Sequence, residues 1–582
     1  MPETRVVNPA EEAGQRALDS VFACIRERKS FRLEAGAGAG KTYSLIKALR
    51  YIIDKQGAEL QRQHQQVACI TYTNIATDQI MSQTDGHPAV YCSTIHAFCW
   101  LLIKGFQPFI REKLTEINGW PEKLEEIGGI GQRRVDYDLG HRSAKPDAPN
   151  IYLHHDDVLA LTVLLMEQKK FRNLLIARFP ILFIDEYQDT NKDFAQSIVK
   201  HFFNSGDGPL IGLFGDSWQK IYGDGCGLIK HTNLEYVGKN ANFRSVKTIV
   251  DVLNHIRPDL PQEVEDPSST GLVAVYHSNN YLGNRREASR GGHWTGDLPA
   301  EDAHNYLKSV MHRLKVEGWD FSPGKTKILM LTHNILAIEQ NYNHIADVFK
   351  YTDAYIERKN QHIKFLIDIL EQVCIEYQNG RYGEMFSVLN DRSLTIKTFN
   401  DKDAWAQDMN KLINLRTTGT IGQVIAHLEA VKRPRLPDAV RKIESELCNA
   451  SPEKIAESPS LTEISKLKDI PYREIVSLAE FVNGYTPFST KHGVKGAEFE
   501  NVLVVLGRGW NKYNWNQFLE WSQGGIPKGK DDSYERNRNL FYVACSRPKN
   551  RLALLFTQKL SDNALKTLTD WFGEGAINSI TV

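Results

Sequence analysis

The sequence predicts an α/β protein built on parallel sheets with helices on both faces. Short apolar segments with the character of buried strands alternate with segments of helical periodicity. This alternation occurs in two separate portions of the 582-residue chain, and mainly helical sequence interrupts each portion. At roughly 150 residues per domain, the length is enough for about four domains.

Each predicted element follows from local pattern. In the first portion an apolar segment leads into a Gly-rich turn and a helix at residues 31–50, and further strands are predicted at 67–71, 181–184 and 210–214. In the second portion strands are predicted at 273–276, 328–331, 502–506 and 552–556. Helical sequence is predicted at 101–179 and from 353 to about 479, with an amphipathic helix over 353–379 that Gly380 ends.

Composition excludes several classes of protein. The 71 Lys and Arg residues balance 71 Asp and Glu residues, so nucleic-acid binding would need a local groove rather than a general attraction. Eight Cys residues without a C-x-x-C pair argue against a disulfide framework or a structural zinc site, and they favour a reducing cytoplasm. Neither a signal peptide nor an apolar run long enough to span a membrane is present, so no membrane partner is expected.

A phosphate-binding loop is predicted at residues 35–42, which read Ala-Gly-Ala-Gly-Ala-Gly-Lys-Thr between a strand and a helix. Glycines let backbone N–H groups turn toward phosphate oxygens at a helix N-terminus. Lys41 would reach the β- and γ-phosphates of a nucleotide, and Thr42 would hold Mg²⁺. The predicted ATP-binding residues of this loop are Ala35, Gly36, Ala37, Gly38, Ala39, Gly40, Lys41 and Thr42.

A second chemical signal directly follows the predicted strand at 181–184. Asp185 at the end of that strand suits a Mg²⁺ ligand of a P-loop nucleotide hydrolase. The adjacent Glu186 can orient and deprotonate an attacking water. These two segments alone indicate a nucleotide hydrolase, which many unrelated functions share.

Eight segments then resemble, in the same order, the motifs of superfamily 1 DNA helicases of the UvrD/Rep/PcrA type. Several short matches are specific: Thr-Tyr-Thr-Asn at 71–74, Thr-Ile-His at 94–96 and Asn-Phe-Arg-Ser at 242–245. The full set lies at residues 35–42, 71–76, 94–96, 185–189, 215–222, 242–245, 490–499 and 542–547. The resemblance implies two RecA-like domains, each interrupted by a helical insertion, with ATP in the cleft between them.

The same resemblance assigns roles around the nucleotide. Gln219 corresponds to a γ-phosphate sensor, and Arg244 and Arg547 correspond to paired arginine fingers from the second domain. Arginine suits this task because its planar, permanently charged fork binds phosphate oxygens. Phe243 would stack on adenine and Glu498 would bind the ribose hydroxyl. Gln15 is either an adenine reader or a residue of a helix surface.

Single-stranded or partially duplex DNA is the expected partner. Small polar, imidazole and aromatic side chains suit phosphate contacts and base stacking. The predicted DNA-binding residues are Thr71, Tyr72, Thr73, Asn74, Thr94, His96, Tyr222 and His492. One departure stands out: where the family continues into Trp-Arg-Gly, this chain has Gly223-Asp224-Gly225, and Trp218 is out of register with the missing Trp.

The predicted boundaries divide the chain into four parts. They are a first RecA-like domain at 1–100 and 180–238, an insertion at 101–179, a second RecA-like domain at 239–345 and 480–582, and an insertion at 346–479. The resemblance implies an ATP- and Mg²⁺-dependent motor with 3′→5′ polarity. Compact size also resembles the helicase subunit of Gabija-type anti-phage systems, which act beside a separate nuclease. Two alternatives stay open: a nucleotide-gated scaffold subunit that does not unwind DNA, and an RNA-directed motor.

Overall fold

The structure is a computed structural model of the chain. It describes residues 8–138, 142–221, 223–287, 295–330, 333–389, 398–489, 497–507 and 513–580. The chain divides into two compact units. The first unit comprises Met1–Ala274, Asn516–Leu552 and Ser561–Ile577, and the second comprises Val275–Trp515, Ala553–Leu560 and Asn578–Val582.

The strands are β1 Phe31–Ala35, β2 Val67–Thr71, β3 Val90–Thr94, β4 Arg134–Tyr137, β5 Asn150–Leu153, β6 Ile181–Asp185, β7 Leu210–Gly215, β8 Glu235–Lys239, β9 Ala241–Asn242, β10 Glu263–Val264, β11 Leu272–His277, β12 Thr326–Met330, β13 Phe488–Ser489, β14 Phe499–Leu506, β15 Pro548–Phe556 and β16 Ile577–Ser579.

The helices up to residue 256 are α1 Pro9–Arg26, α2 Lys41–Arg62, α3 Asn74–Gln83, α4 Ile95–Ile103, α5 Gln107–Leu114, α6 Pro121–Glu126, α7 His155–Met166, α8 Lys169–Arg178, α9 Lys192–Ile198 and α10 Lys247–Ile256.

The remaining helices are α11 Ala300–Val316, α12 His333–Glu339, α13 Asn343–Val348, α14 Gln361–Phe365, α15 Gln372–Gln378, α16 Tyr382–Leu389, α17 Phe399–Thr418, α18 Ile421–Val431, α19 Asp438–Asn449, α20 Pro452–Glu457, α21 Pro459–Lys468, α22 Arg473–Val482, α23 Trp515–Gly524, α24 Asp531–Cys545 and α25 Asp562–Phe572. A π-helical turn at Leu366–Glu371 joins α14 to α15.

The sheet of the first unit has the strand order β3-β2-β6-β7-β1-β8, and all of its pairings are parallel. Strands β1, β2, β6 and β7 are buried along their whole length because helices cover both faces of the sheet. Parallel pairing brings the carboxyl ends of all six strands to one edge. The loops that follow β1, β2, β6 and β7 therefore meet there, which is where ligands bind in open α/β sheets.

Two apolar cores lie against this sheet. One packs α1 and α2 on Phe31, Leu33 and Phe183. The other packs α4, α7 and neighbouring helices on Ile70 and Ile184. These cores fix the strand ends from both sides.

A second six-stranded sheet has the order β13-β12-β14-β15-β11-β16, and β12 pairs in parallel with β13 and β14. The second unit also contains a helical core from Ala337 to Ala479. Within that core Arg416 is paired with Glu371, and the Tyr472 hydroxyl donates to the same carboxylate over 2.8 Å.

The predicted α/β class with two RecA-like sheets and interrupting helices is confirmed. The predicted helix over 353–379 was too long at its start: Asn360 caps a helix that begins at Gln361, and Gly380 follows its end with φ +71°. The predicted helical segment 101–179 also holds the parallel strand pair β4–β5, which the sequence pattern did not indicate.

The four-part domain boundaries stay a prediction. In the described part of the chain, no helix combines the length and apolarity that crossing a membrane requires.

Candidate functional site

The Gly-rich loop between β1 and α2 has the backbone that its sequence predicts. Gly38 and Gly40 adopt φ values of +76° and +71°, a region that side chains disfavour. A Cβ atom on Gly38 would lie 2.8 Å from both the Arg244 Cβ and the Asn242 Oδ1. Glycine is therefore required at position 38 by backbone conformation and by close packing together.

Residues from elsewhere in the first unit hold this loop. The Phe243 N–H donates to the Gly38 carbonyl over 2.9 Å, and the Asn242 amide donates to the Ala37 carbonyl over 3.1 Å. The Ala37 N–H donates to the Tyr542 hydroxyl over 3.3 Å. The predicted adenine-stacking and arginine-finger segments thus pack directly on the loop.

The predicted water-activating carboxylate lies next to the loop lysine. The Lys41 Nζ is 3.9 Å from the Glu186 Oε1, and the Gln188 amide donates to the Glu186 Oε2 over 2.5 Å. Glu186 itself has φ +47°, a left-handed conformation that costs a non-glycine residue of order 1–3 kcal/mol. Such strain is typical of functional turns, and here it re-aims the side chain directly after the buried Asp185.

Gln219 joins two of the predicted catalytic groups. Its side-chain amide donates to the Asp216 Oδ2 over 2.7 Å, and its Oε1 accepts from the Arg547 Nη2 over 3.1 Å. The Arg547 Nε also donates to the Val543 carbonyl over 3.0 Å. Burial, and then the charge of Arg244, lower the pKa of Arg547 to about 9, so the guanidinium stays charged at neutral pH.

The second predicted finger reaches the same segment. The Arg244 Nη1 donates to the Ser546 carbonyl over 2.9 Å, which places both arginines at residues 546–547. Two cationic groups thus converge beside Gln219, an arrangement suited to a polyanion with developing negative charge.

A buried ionic network supports these groups, and its pairings were not predicted from the sequence. The Arg257 Nη1 donates to the Asp216 Oδ1 over 2.6 Å. Glu34 accepts from the Tyr187 hydroxyl over 2.7 Å and from the Ser217 N–H over 2.6 Å. Burial alone would lower the pKa of Arg257, but the negative charges around it, chiefly Asp216, raise it above its ordinary value. A local signal was present in β1, where two charged residues, Arg32 and Glu34, stand among apolar ones in a buried strand.

A pocket of about 900 Å³ adjoins the loop. We call it the aromatic pocket; its lining includes Gln15, Gly40, Tyr43, Lys239 and Phe243. The predicted adenine residues Gln15 and Phe243 therefore lie in one cavity. Tyr43, 56% exposed, was missed by sequence reasoning, although an aromatic residue two positions after the loop lysine was a usable signal.

Three of the predicted DNA-binding residues lie together at the neighbouring strand ends. Thr71, Tyr72 and His96 line a pocket of about 250 Å³ together with Asp185 and Glu186. We call this the strand-end pocket. It brings predicted DNA contacts and predicted hydrolytic residues to one cavity, since β3, β2 and β6 are adjacent in the sheet.

Individual threonines at these ends have structural partners. The buried Thr71 hydroxyl donates to the Thr73 carbonyl over 3.1 Å. The Thr73 hydroxyl accepts from the Ala76 N–H over 3.2 Å and caps α3, whose first residue is Asn74. Thr94 is the N-cap residue of α4 but makes no side-chain capping bond. A direct role for any of them toward DNA stays a prediction.

Three of the residues predicted to bind ATP or DNA are found in neither the aromatic pocket nor the strand-end pocket. Tyr222 and His492 lie outside the described residues. Glu498 is exposed and belongs to the second unit, just before β14.

Comparison with known proteins agrees with this site. Residues 19–224 match the AAA domain family. The Gabija protein GajB of Bacillus cereus strain HuB5-5 is 24% identical over an alignment that covers 99% of this chain and 99% of that protein. GajB of Bacillus cereus strain VD045 is 21% identical over 94% of this chain and 96% of its own length. The ATP-dependent DNA helicase PcrA of Bacillus subtilis is 22% identical over 48% of this chain and 43% of its own length.

The two α/β sheets, the glycine-loop site and these matches together make this chain similar to the class of UvrD-like helicases. Within that class the chain is related to the Gabija protein GajB along nearly its entire length.

Proposed function

We propose that this protein hydrolyses ATP and uses the energy to move along single-stranded DNA. The observation that supports the proposal most directly is the convergence of Lys41, Glu186 and Gln219 with Arg547 within the first unit. A cation for the phosphates, a carboxylate for water and a charged guanidinium beside a sensor amide are the parts that phosphoryl transfer needs.

In this proposal each side chain has a separate task. Lys41 neutralises the β- and γ-phosphates. Glu186, whose Oε1 lies 3.9 Å from the Lys41 Nζ, accepts a proton from the attacking water. Arg547 and Arg244 stabilise the charge that develops on the transferred phosphoryl group, while Gln219 links Arg547 to Asp216.

The residues at the loop fit a magnesium ion. Thr42 in the first turn of α2 offers a hydroxyl oxygen, and the buried Asp185 at the end of β6 offers carboxylate oxygens. Mg²⁺ prefers such hard oxygen ligands together with phosphate oxygens. When bound, the ion would neutralise phosphate charge; Thr42 and Asp185 would hold it in place.

Coupling to DNA follows from the shared strand-end pocket. Tyr72 is 43% exposed there, so its ring is accessible to an unstacked base. Because Asp185 and Glu186 line the same cavity, a strand bound at Tyr72 and His96 would act directly on the hydrolytic loop. We extend the proposal to 3′→5′ movement, which the resemblance to UvrD-type helicases implies. We extend it also to work beside a separate nuclease in anti-phage defence, which the resemblance to Gabija-type helicase subunits implies.

The test compares two lysines of the same helix. Lys41→Ala should lower DNA-stimulated ATP turnover by at least about a hundredfold, because one electrostatic group at the phosphates typically contributes that much. Lys55→Ala on the exposed side of α2 is the matched control and should keep wild-type turnover. Retained turnover in the Lys41 variant, with both proteins folded, would contradict the site.

One observation favours a second candidate, a nucleotide-gated scaffold that hydrolyses ATP without unwinding. Trp218 lies under two guanidinium groups, with the Arg538 and Arg257 carbon centres 4.1 and 5.1 Å from its ring centroid. Because its ring is engaged in this way, it is a poor replacement for the stacking tryptophan that the family sequence would place later. A strand-displacement assay with a 3′ single-stranded tail separates the two: ATP turnover without displacement supports the scaffold.

A further inference from the structure

Lys239, the last residue of β8, is a buried amine at the junction between the aromatic pocket and the glycine loop. It is 1% exposed. Its Nζ donates to the Gly40 carbonyl over 3.1 Å and to the Ser44 hydroxyl over 2.8 Å. Gly40 is the N-cap residue of α2, and Ser44 lies in the first turn of that helix, the turn that carries the loop lysine.

The two aromatic side chains of the pocket flank this amine. The Lys239 Nζ lies 5.8 Å from the ring centroid of Tyr43 and 5.7 Å from that of Phe243. Helix α1 packs closely on the same place, since a Cβ atom on Gly14 would lie 3.4 Å from Phe243 and 3.6 Å from the Lys239 Cε. The amine is therefore a packed part of the wall of the aromatic pocket.

The charge of Lys239 lacks a counter-ion in the described part of the chain. Its hydrogen-bond acceptors are a carbonyl and a hydroxyl, and no described carboxylate lies within ion-pair distance of it. Glu11 and Glu12 also line the pocket, but both are exposed to water. Burial, and then the like charge of Lys41, lower the pKa of Lys239 to about 8.

A buried, unpaired cation next to a second cation and a helix N-terminus is unfavourable without a ligand. An anion bound beside it would offset that cost. A nucleotide whose base lies in the aromatic pocket and whose terminal phosphates lie at Lys41 has its α-phosphate along Gly40 and Tyr43, next to this amine.

We propose that Lys239 is a second phosphate-binding lysine, which contacts the α-phosphate end of the nucleotide while Lys41 serves the terminal phosphates. This inference rests on the proposed ATPase function and adds a residue to its binding site. It also explains why a charged side chain occupies the wall of an aromatic cavity, where an apolar one would cost less to bury.

The test measures binding of three probes, ATP, AMP and adenosine, to wild-type protein and to Lys239→Met. The methionine keeps the length of the side chain and removes its charge. Affinity for ATP and AMP should fall about tenfold or more, the typical effect of losing one charge-assisted hydrogen bond. Affinity for adenosine should not change. In turnover, the loss should raise KM more than it lowers kcat.

Two further variants separate charge from structure. Lys239→Arg keeps the charge and should restore most of the ATP and AMP affinity, and the exposed Lys55→Met should match wild type. An equal loss for adenosine would show a damaged base pocket and overturn the proposal, as would unchanged ATP affinity in Lys239→Met. Wild-type protein that binds no ATP would contradict the proposed function itself, and this inference with it.

Discussion

Arg416 in the helical core of the second unit and Arg547 beside the glycine loop of the first are both almost fully buried, but their surroundings differ. Arg416 forms two hydrogen bonds to Glu371, of 2.9 and 2.5 Å. Arg547 donates to the Val543 carbonyl and the Gln219 amide oxygen, and no described carboxylate lies within ion-pair distance of it.

The electrostatic consequences are opposite. Burial alone would lower the pKa of Arg416, but hydrogen bonding and charge attraction from Glu371 raise it above its ordinary value. Burial, joined by Arg244, lowers the pKa of Arg547 to about 9. A buried arginine with its carboxylate is a structural element, whereas one with only neutral partners keeps its charge available for a ligand.

The largest expected effect is on catalysis at Arg547. Arg547→Met should lower ATP turnover by about a thousandfold or more, because a guanidinium at the phosphoryl group typically contributes that factor. Its stability should not fall, since no carboxylate would be left unpaired. Steady-state turnover measures the loss of catalysis, and urea unfolding of the same preparation measures the stability. Lost stability together with partly retained turnover would make Arg547 a structural residue like Arg416.

The next effect, on stability, is expected at Arg416. Arg416→Met leaves Glu371 buried without its cation, which should cost about 3–5 kcal/mol locally. Hydrogen exchange in α15 and α17 measures that loss. Arg441→Met is the matched control in the same unit: its partner Asp438 is exposed to water, so this substitution should leave stability almost unchanged. Equal protection from hydrogen exchange in Arg416→Met and Arg441→Met would show that the buried pair of Arg416 and Glu371 stabilises the fold no more than the exposed pair does.

Of the two arginines compared, the sequence predicted the role of Arg547 alone. It did not predict the residues that surround Arg547 or Arg416 in the fold. Arg547, Gln219 and Glu186 were predicted because each stands in a short motif with a fixed order along the chain. Arg257 was not, because its partner Asp216 lies 41 residues away and no local pattern marks the pair. Tertiary partners at such separations are set by folding rather than by neighbouring residues.

The same reasoning holds for the fold. The predicted strands at 67–71 and 210–214 were correct because those segments are continuously apolar and fully buried. Strands β3 and β8 were missed since they lie at the edges of the sheet, where only part of each strand is buried. Lys239 is on one of them, so its burial could not be read from the polar sequence Glu-Tyr-Val-Gly-Lys. The pattern of apolar residues reports central strands more faithfully than edge strands.

The smallest effect concerns His96, a partly buried imidazole whose surroundings disfavour its charged form. Burial, and then the neighbouring His155, lower the pKa of His96 to about 4. Its folded pKa therefore lies below the ordinary value of 6.5, and on acidification the unfolded state takes up the proton first. The free energy of unfolding should fall between pH 6.5 and 5 by about 1 kcal/mol after allowance for partial exposure.

His96→Asn should remove that part of the pH dependence, and the exposed His64→Asn in the same unit should leave it unchanged. Unfolding by urea at a series of pH values measures both, and parallel curves for all three proteins would contradict the assignment.

The same substitution tests how His96 would contact DNA. Because a neutral imidazole neutralises no phosphate, His96→Asn should leave the salt dependence of DNA binding at pH 7 unchanged, even if affinity falls. A reduced salt slope would mean that DNA binding protonates His96, so that the ligand supplies the counter-charge of His96 as it does in the proposal for Arg547.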